Sequence, residues 1–293
     1  MSLIIYKTFK IILENKIENY DEFLNIITKK TKFKFIGRSI SIIINMFILI
    51  CFFVMIAGFG AYFAQELGIP KICGSIIISI LCYIVFLKNV EGIIKVNDVL
   101  IPIIIIFIVF MGIKCSNNII DYQKTNIGLS GWFKSSILYT SYNSIILIPI
   151  LVSLKNFLKN KKQNFIICFM FFLVILILAV SIYGILCMSR QDLRLIELPA
   201  IYIVGKISNT YKKIYGIIII IAIFTSAIST GYAFLNNVLK HKKNKIITAI
   251  LCILGVLLSN IGFAKLVDFL YPIFGYLGLL QIFLIMLEKK GKN

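Results

Sequence analysis

Groups that do chemistry in water are scarce in this chain. Its 293 residues hold only twelve Asp and Glu and a single histidine, His241, which lies in a basic segment. One histidine excludes a His-rich metal site and any His-based catalytic triad. No enzyme is read here, and neither a metal nor an organic cofactor is expected. Cysteine occurs seven times, at Cys51, Cys73, Cys82, Cys115, Cys168, Cys187 and Cys252, but never as a CxxC pair. Most of these lie inside apolar runs, where a thiol behaves as a small hydrophobe, so a disulfide framework is not expected. Residues 1–12 are too short and too interrupted, by Lys7 and Lys10, to read as a cleavable signal peptide.

Charged residues make up only 15% of the chain, against roughly 25% in a soluble domain. Hydrophobic residues make up 60%, and they gather in long uncharged runs of the kind that cross a hydrocarbon layer ~30 Å thick. Charges delimit eight such runs, at 38–66, 71–88, 98–114, 134–155, 162–190, 213–240, 245–265 and 268–288. The second and third are short and must extend into their flanks. In lipid only hydrogen-bonded helices satisfy the backbone of such segments, so the expected fold is all-α, a polytopic cell-membrane protein with about eight transmembrane helices and the bilayer as its first partner.

The net charge of +19 would suit a nucleic-acid partner only if it formed one basic face. It sits instead in the short segments between apolar runs, and no nucleic acid is expected. On alternate sides of the eight runs Lys and Arg number 21 and 10. The excess places both termini in the cytoplasm. Two connections carry a pattern of their own. Ile17, Tyr20, Leu24 and Ile27 recur at helical spacing within 14–34, which predicts an amphipathic helix on the cytoplasmic surface. The outer connection, 190–213, interleaves Leu193, Leu195, Ile196, Leu198, Ile201 and Ile203 with Arg194 and Glu197 and reads as a re-entrant or surface helix capping the outer face.

Inside the runs no Asp or Glu occurs, so the chain by itself shows no proton relay. Neutral polar residues concentrate twice. Tyr139, Thr140, Ser141, Tyr142, Asn143 and Ser144 are consecutive in the fourth run, with Pro149 following. A continuous lipid-facing helix is not expected there, and an unwound segment facing a cavity is one reading. Hydrogen bonding between packed helices is the other, and both stand. In the sixth run Ser226, Ser229 and Thr230 fall at i, i+3 and i+4 on one face, where hydroxyls suit either a hard cation such as sodium or helix packing. Ala57, Gly58, Gly60 and Ala61 in the first run form a small-residue patch that lets another helix or a ligand come close.

Taken in order, Met55-Ile-Ala-Gly-Phe-Gly-Ala61, Leu138-Tyr-Thr-Ser-Tyr-Asn143 with Pro149, Glu197-Leu-Pro199 and the Ser/Thr-rich sixth run resemble the YkvI family of bacterial membrane proteins. That family is similar to the amino acid-polyamine-organocation transporters, whose fold is a five-plus-five inverted repeat. The resemblance implies one membrane domain over 1–293. It would comprise a cytoplasmic amphipathic segment (1–36), the remnant of a first repeat (37–115) and a second five-helix repeat (130–289). The eight runs would be helices three to ten.

By the same resemblance Gly58, Gly60, Ser141, Tyr142, Asn143 and Ser144 would border a small organic solute such as an amino acid. Ser226, Ser229 and Thr230 would hold sodium as a coupling ion. Secondary transport is the function implied, with a non-transporting receptor or scaffold related to spore-germination proteins as the alternative. The likeness departs at the start. Family members open with a helix carrying a Gly-rich break similar to GAGFASGQE, and no such segment occurs here. Residues 3–12 would stand for the end of helix two, spanning only ~15 Å at 1.5 Å per residue. The resemblance thus implies an N-terminally shortened form that does not transport alone.

Overall fold

Runs of Ile, Leu, Phe and Val have no water to satisfy their peptide groups in a bilayer, and a helix satisfies them internally. Each of the eight runs is helical in the computed structural model, which describes residues 1–17, 20–28, 35–88, 91–116, 129–153, 161–188, 196–239 and 244–288. In chain order the helices are α1 (Ser2–Asn15), α2 (Tyr20–Thr28), α3 (Phe35–Leu67), α4 (Lys71–Leu87), α5 (Glu91–Ser116), α6 (Leu129–Ser153), α7 (Lys161–Leu186), α8 (Pro199–Ile207), α9 (Asn209–Leu239), α10 (Lys245–Ser259) and α11 (Phe263–Leu287). No strand occurs among the described residues. Five helices, α3, α6, α7, α9 and α11, are long and apolar enough to cross a membrane, and 71–87, 99–115 and 245–259 are shorter apolar helices. The chain is an all-α polytopic membrane protein.

Two compact units divide the helices: Met1–Phe47 with Asn126–Leu176 and Phe269–Asn293, and Ile48–Thr125 with Ile177–Asp268. The divisions fall inside α3, α7 and α11.

In the first unit α1 and α2 both pack on α6. The α1 helix buries Ile4, Ile5, Phe9, Ile11 and Ile12 on one side and ends at Lys16 in the left-handed conformation, φ 49°. Lys7 Nζ donates to the Met286 carbonyl at the end of α11, a cation where the helix macrodipole is negative. The predicted amphipathic helix is α2. Its apolar side, Phe23, Leu24 and Ile27, is buried in protein rather than turned to lipid, and Tyr20 Oη accepts a hydrogen bond from Gln281 Nε2 at 2.7 Å.

Two apolar cores hold the second unit. One joins α3, α4, α9 and α10 through Phe52, Ile56, Ile78, Phe86, Ile228 and Leu251. The other gathers Tyr62, Met111, Ile185 and Tyr215 around Ile201, Ile203 and Val204 of α8. The predicted helix in the outer connection is therefore α8. Leu193, Leu195 and Arg194 of that connection lie outside the described residues, as does His241.

The expected break in the fourth run does not occur. The α6 helix is continuous from Leu129 to Ser153, because its polar side chains are satisfied within their own helix. Ser141 Oγ donates to Ile137 O at 2.7 Å, Asn143 Nδ2 to Tyr139 O at 2.8 Å, and Ser144 Oγ to Ser141 O at 2.7 Å. This back-bonding onto carbonyls three or four residues earlier lets Ser and Asn sit inside a helix. Pro149 has no N–H to donate, which removes one bond of the ladder without ending the helix.

Candidate functional site

The residues singled out in the sequence fall into three places, one in the first unit and two in the second.

In the first unit, Ser141 and Ser144 are buried on the α6 side that meets α11. Two glycines of α11 permit that approach. A methyl group added at Gly278 would overlap the Ser141 carbonyl, and one added at Gly275 would crowd Leu138. Tyr142 and Asn143 are half-buried. The Tyr142 ring lies 4.7 Å from that of Tyr271 and 6.4 Å from that of Phe47, and Phe47 packs on Phe274 at 4.5 Å. The polar run is thus split by helix geometry. Its two serines pack, while Tyr142 and Asn143 stay half-exposed.

In the second unit, Gly58 and Gly60 sit in unbroken helix. A methyl group at Gly58 would stand 3.2 Å from the Phe263 ring and 3.8 Å from Ile223. One at Gly60 would overlap the Lys71 carbonyl and the Ser75 hydroxyl. The patch lets α3 approach α4, α9 and the start of α11. It brings Gly58 beside Ile223, one turn before Ser226.

On α9, Ser229 Oγ donates to Thr225 O at 2.8 Å. Thr230 Oγ1 donates to Ser226 O at 2.8 Å, and Ala227 O lies 3.3 Å away. Thr225 is buried and Ser226, Ser229 and Thr230 are half-buried. With their protons spent on carbonyls, the hydroxyl oxygens keep only acceptor capacity, the chemistry a hard cation requires. A complete ion site needs carbonyl oxygens from a second, irregular segment, and α3 beside Gly58 is regular helix with its carbonyls committed.

A groove of about 370 Å³ opens between α4 and α10, lined by Ile76, Ile80, Tyr83, Ile253 and Leu257. Ser79 lies on its wall, but its hydroxyl donates to Cys252 O at 2.8 Å. Nothing there recognises a polar solute. Among the described residues no three His, Cys, Asp or Glu side chains gather as metal ligands.

Sequence reasoning missed one polar cluster in the second unit, at the meeting of the ends of α3, α4, α8, α9 and α11. Lys71 Nζ and Glu197 Oε1 are 2.5 Å apart, and Ala264 N–H donates to Glu197 Oε2 at 2.7 Å. Glu197 was visible only as a charge in the outer connection and as part of the Glu197-Leu-Pro199 motif. Its partners are 126 and 67 residues away. The one local signal was Gly262, near the end of the seventh apolar run.

Two relatives match most of the chain. The protein named "Uncharacterized membrane protein YkvI" of Bacillus subtilis (strain 168) is 27% identical over 272 residues, covering 88% of this chain and 76% of its own length. "Uncharacterized protein YyaD" of the same organism is 26% identical over 243 residues, covering 80% of this chain and 70% of its own. The chain is homologous to YkvI, as the residue resemblance implied. No family model and no solved structure matches it.

Proposed function

We propose that this chain is a secondary transporter of the five-plus-five inverted-repeat class, moving a small organic solute such as an amino acid with sodium as the coupling ion. The observation that carries this reading is the α9 face of Ser226, Ser229 and Thr230. Three neutral hydroxyls lie within an apolar helix, two of them donating to their own helix and left as acceptors. Such a face suits a cation that must bind and leave without a fixed counter-charge. Homology to a membrane protein over most of the chain supports the setting. For the solute, Tyr142 and Asn143 offer a ring face and an amide oxygen from α6. Within the first unit, Ser141 and Ser144 lie buried beside that surface.

One observation favours a second reading. The α6 helix is unbroken, as is α3 beside Gly58, and transporters of this kind bind substrate and ion at discontinuous helices. A non-transporting receptor or scaffold, like the spore-germination relatives, needs no break. Reconstitution of the purified chain in vesicles with a sodium gradient separates the two. Transport predicts sodium-dependent amino acid uptake that falls in the Ser229→Ala/Thr230→Ala double variant while thermal unfolding stays nearly constant, because both hydroxyls donate to carbonyls of their own helix. Absence of uptake across the amino acids, with no shift in melting on adding sodium, favours the receptor.

A further inference from the structure

The polar cluster beside α8 consists of connections between the ends of elements. At the end of α3, Gln65 grips the backbone of Leu198 in both directions. Its Nε2 donates to Leu198 O at 3.1 Å, and Leu198 N–H donates to its Oε1 at 2.9 Å. The next residue, Glu66, pairs with Lys212 near the start of α9 at 2.9 Å. Glu197 reaches two elements at once, Lys71 of α4 with one oxygen and the first turn of α11 with the other. The second contact caps a helix N-terminus with a charge, where unpaired N–H groups and the macrodipole favour an anion. Gly262 makes it possible. At φ 99° its backbone turns into α11, and a methyl group there would stand 3.2 Å from Glu197 Oε1.

The two arms of Glu197 differ in strength. The Lys71 side chain is 43% exposed and that of Glu197 21%, so the ion pair is screened and worth little by itself. The Ala264 arm is a charge-assisted hydrogen bond at a half-enclosed helix end, which is the stronger class.

We propose that Glu197 is a positioning residue, an ionic lock that ties the α8 segment to α4 and to the first turn of α11, and that this lock limits the local opening motion of α8. Placing that motion in a transport cycle rests on the function proposed above; the lock itself does not.

Hydrogen exchange on the full chain in lipid nanodiscs tests it, read on α8 and the first turn of α11 with α10 as internal reference. Glu197→Ala removes both arms, and exchange of α8 should rise about tenfold, the loss of one charge-assisted hydrogen bond. Glu197→Gln keeps an oxygen for Ala264 and should rise less. Lys71→Met should rise least, with α10 unchanged throughout. If Glu197→Ala does not accumulate, the order of Glu197→Gln above Lys71→Met carries the same decision. Unchanged α8 exchange in the variants, or equal acceleration in α10, overturns the lock. Solute uptake is measured separately on the same proteins. If uptake is absent from all of them while α8 exchange follows the stated order, the transport reading fails and the lock stands.

Discussion

Gly262 is held at φ 99°, a conformation in which any side chain is strained by about 1–3 kcal/mol. Gly262→Ala adds crowding against Glu197 to that strain, and thermal unfolding in detergent should show a loss of this size. A loss no larger than that of an exposed loop variant would mean the turn adapts freely. The carboxylate it faces has a defined pH signature. Burial works to raise the Glu197 pKa, but hydrogen bonds from Lys71 and Ala264, together with the charges of Lys71 and Lys265, outweigh it and hold the group below its ordinary value of 4.5. A depressed folded-state pKa contributes stability above the unfolded value that is lost as pH falls through the folded one. The melting difference between the native chain and Glu197→Gln should therefore be constant from neutral pH to about 5 and shrink below it. A difference that grows on acidification reverses the sign and the assignment.

At the scale of elements, α6 sets two kinds of contact against each other. Among the described residues the hydroxyls of Ser141 and Ser144 bond only to carbonyls of their own helix, so the Ser141→Ala/Ser144→Ala double variant should lose less than about 1 kcal/mol. Gly278→Ala drives a methyl group into the Ser141 carbonyl and should lose about 1–3 kcal/mol by overpacking. Chemical unfolding in mixed micelles compares them directly. Serine losses as large as the glycine loss would mean that the hydroxyls have partners beyond α6.

The same helix marks where the sequence stopped being legible. All eight apolar runs became helices, as did both patterned connections, because run length and period are local properties. Continuity of α6 was not readable from its composition. Six polar residues in succession leave no apolar side, but Ser141, Asn143 and Ser144 are satisfied by carbonyls of their own helix, and the α11 glycines that admit α6 lie far along the chain. The Glu197 cluster was invisible for a related reason, since both bonds of Glu197 join residues far apart in the chain. Likewise α2 showed its amphipathic period but not its partner, and the apolar stripe seats in protein.

For the whole molecule, the distribution of charge makes a claim about orientation. The 21 Lys and Arg on one side against 10 on the other favour retention of the richer side in the cytoplasm, which we take as the side of both termini. Two positions flanking a single helix test this most sharply. Asn209 begins α9 and Lys245 begins α10. Both are exposed, and of the helices only α9, 31 residues long, runs between them. At 1.5 Å per residue it reaches about 46 Å, more than the ~30 Å hydrocarbon core. With the seven native cysteines replaced, Asn209→Cys should react with an impermeant maleimide in intact cells, and Lys245→Cys only after permeabilisation. The reverse pattern would invert the protein and place α8 with its ionic lock on the cytoplasmic side. Reaction of both from outside would mean that α9 does not cross. Its hydroxyl face would then lie outside the hydrocarbon, where water competes for a cation and Ser226, Ser229 and Thr230 lose the setting that makes them a coupling site.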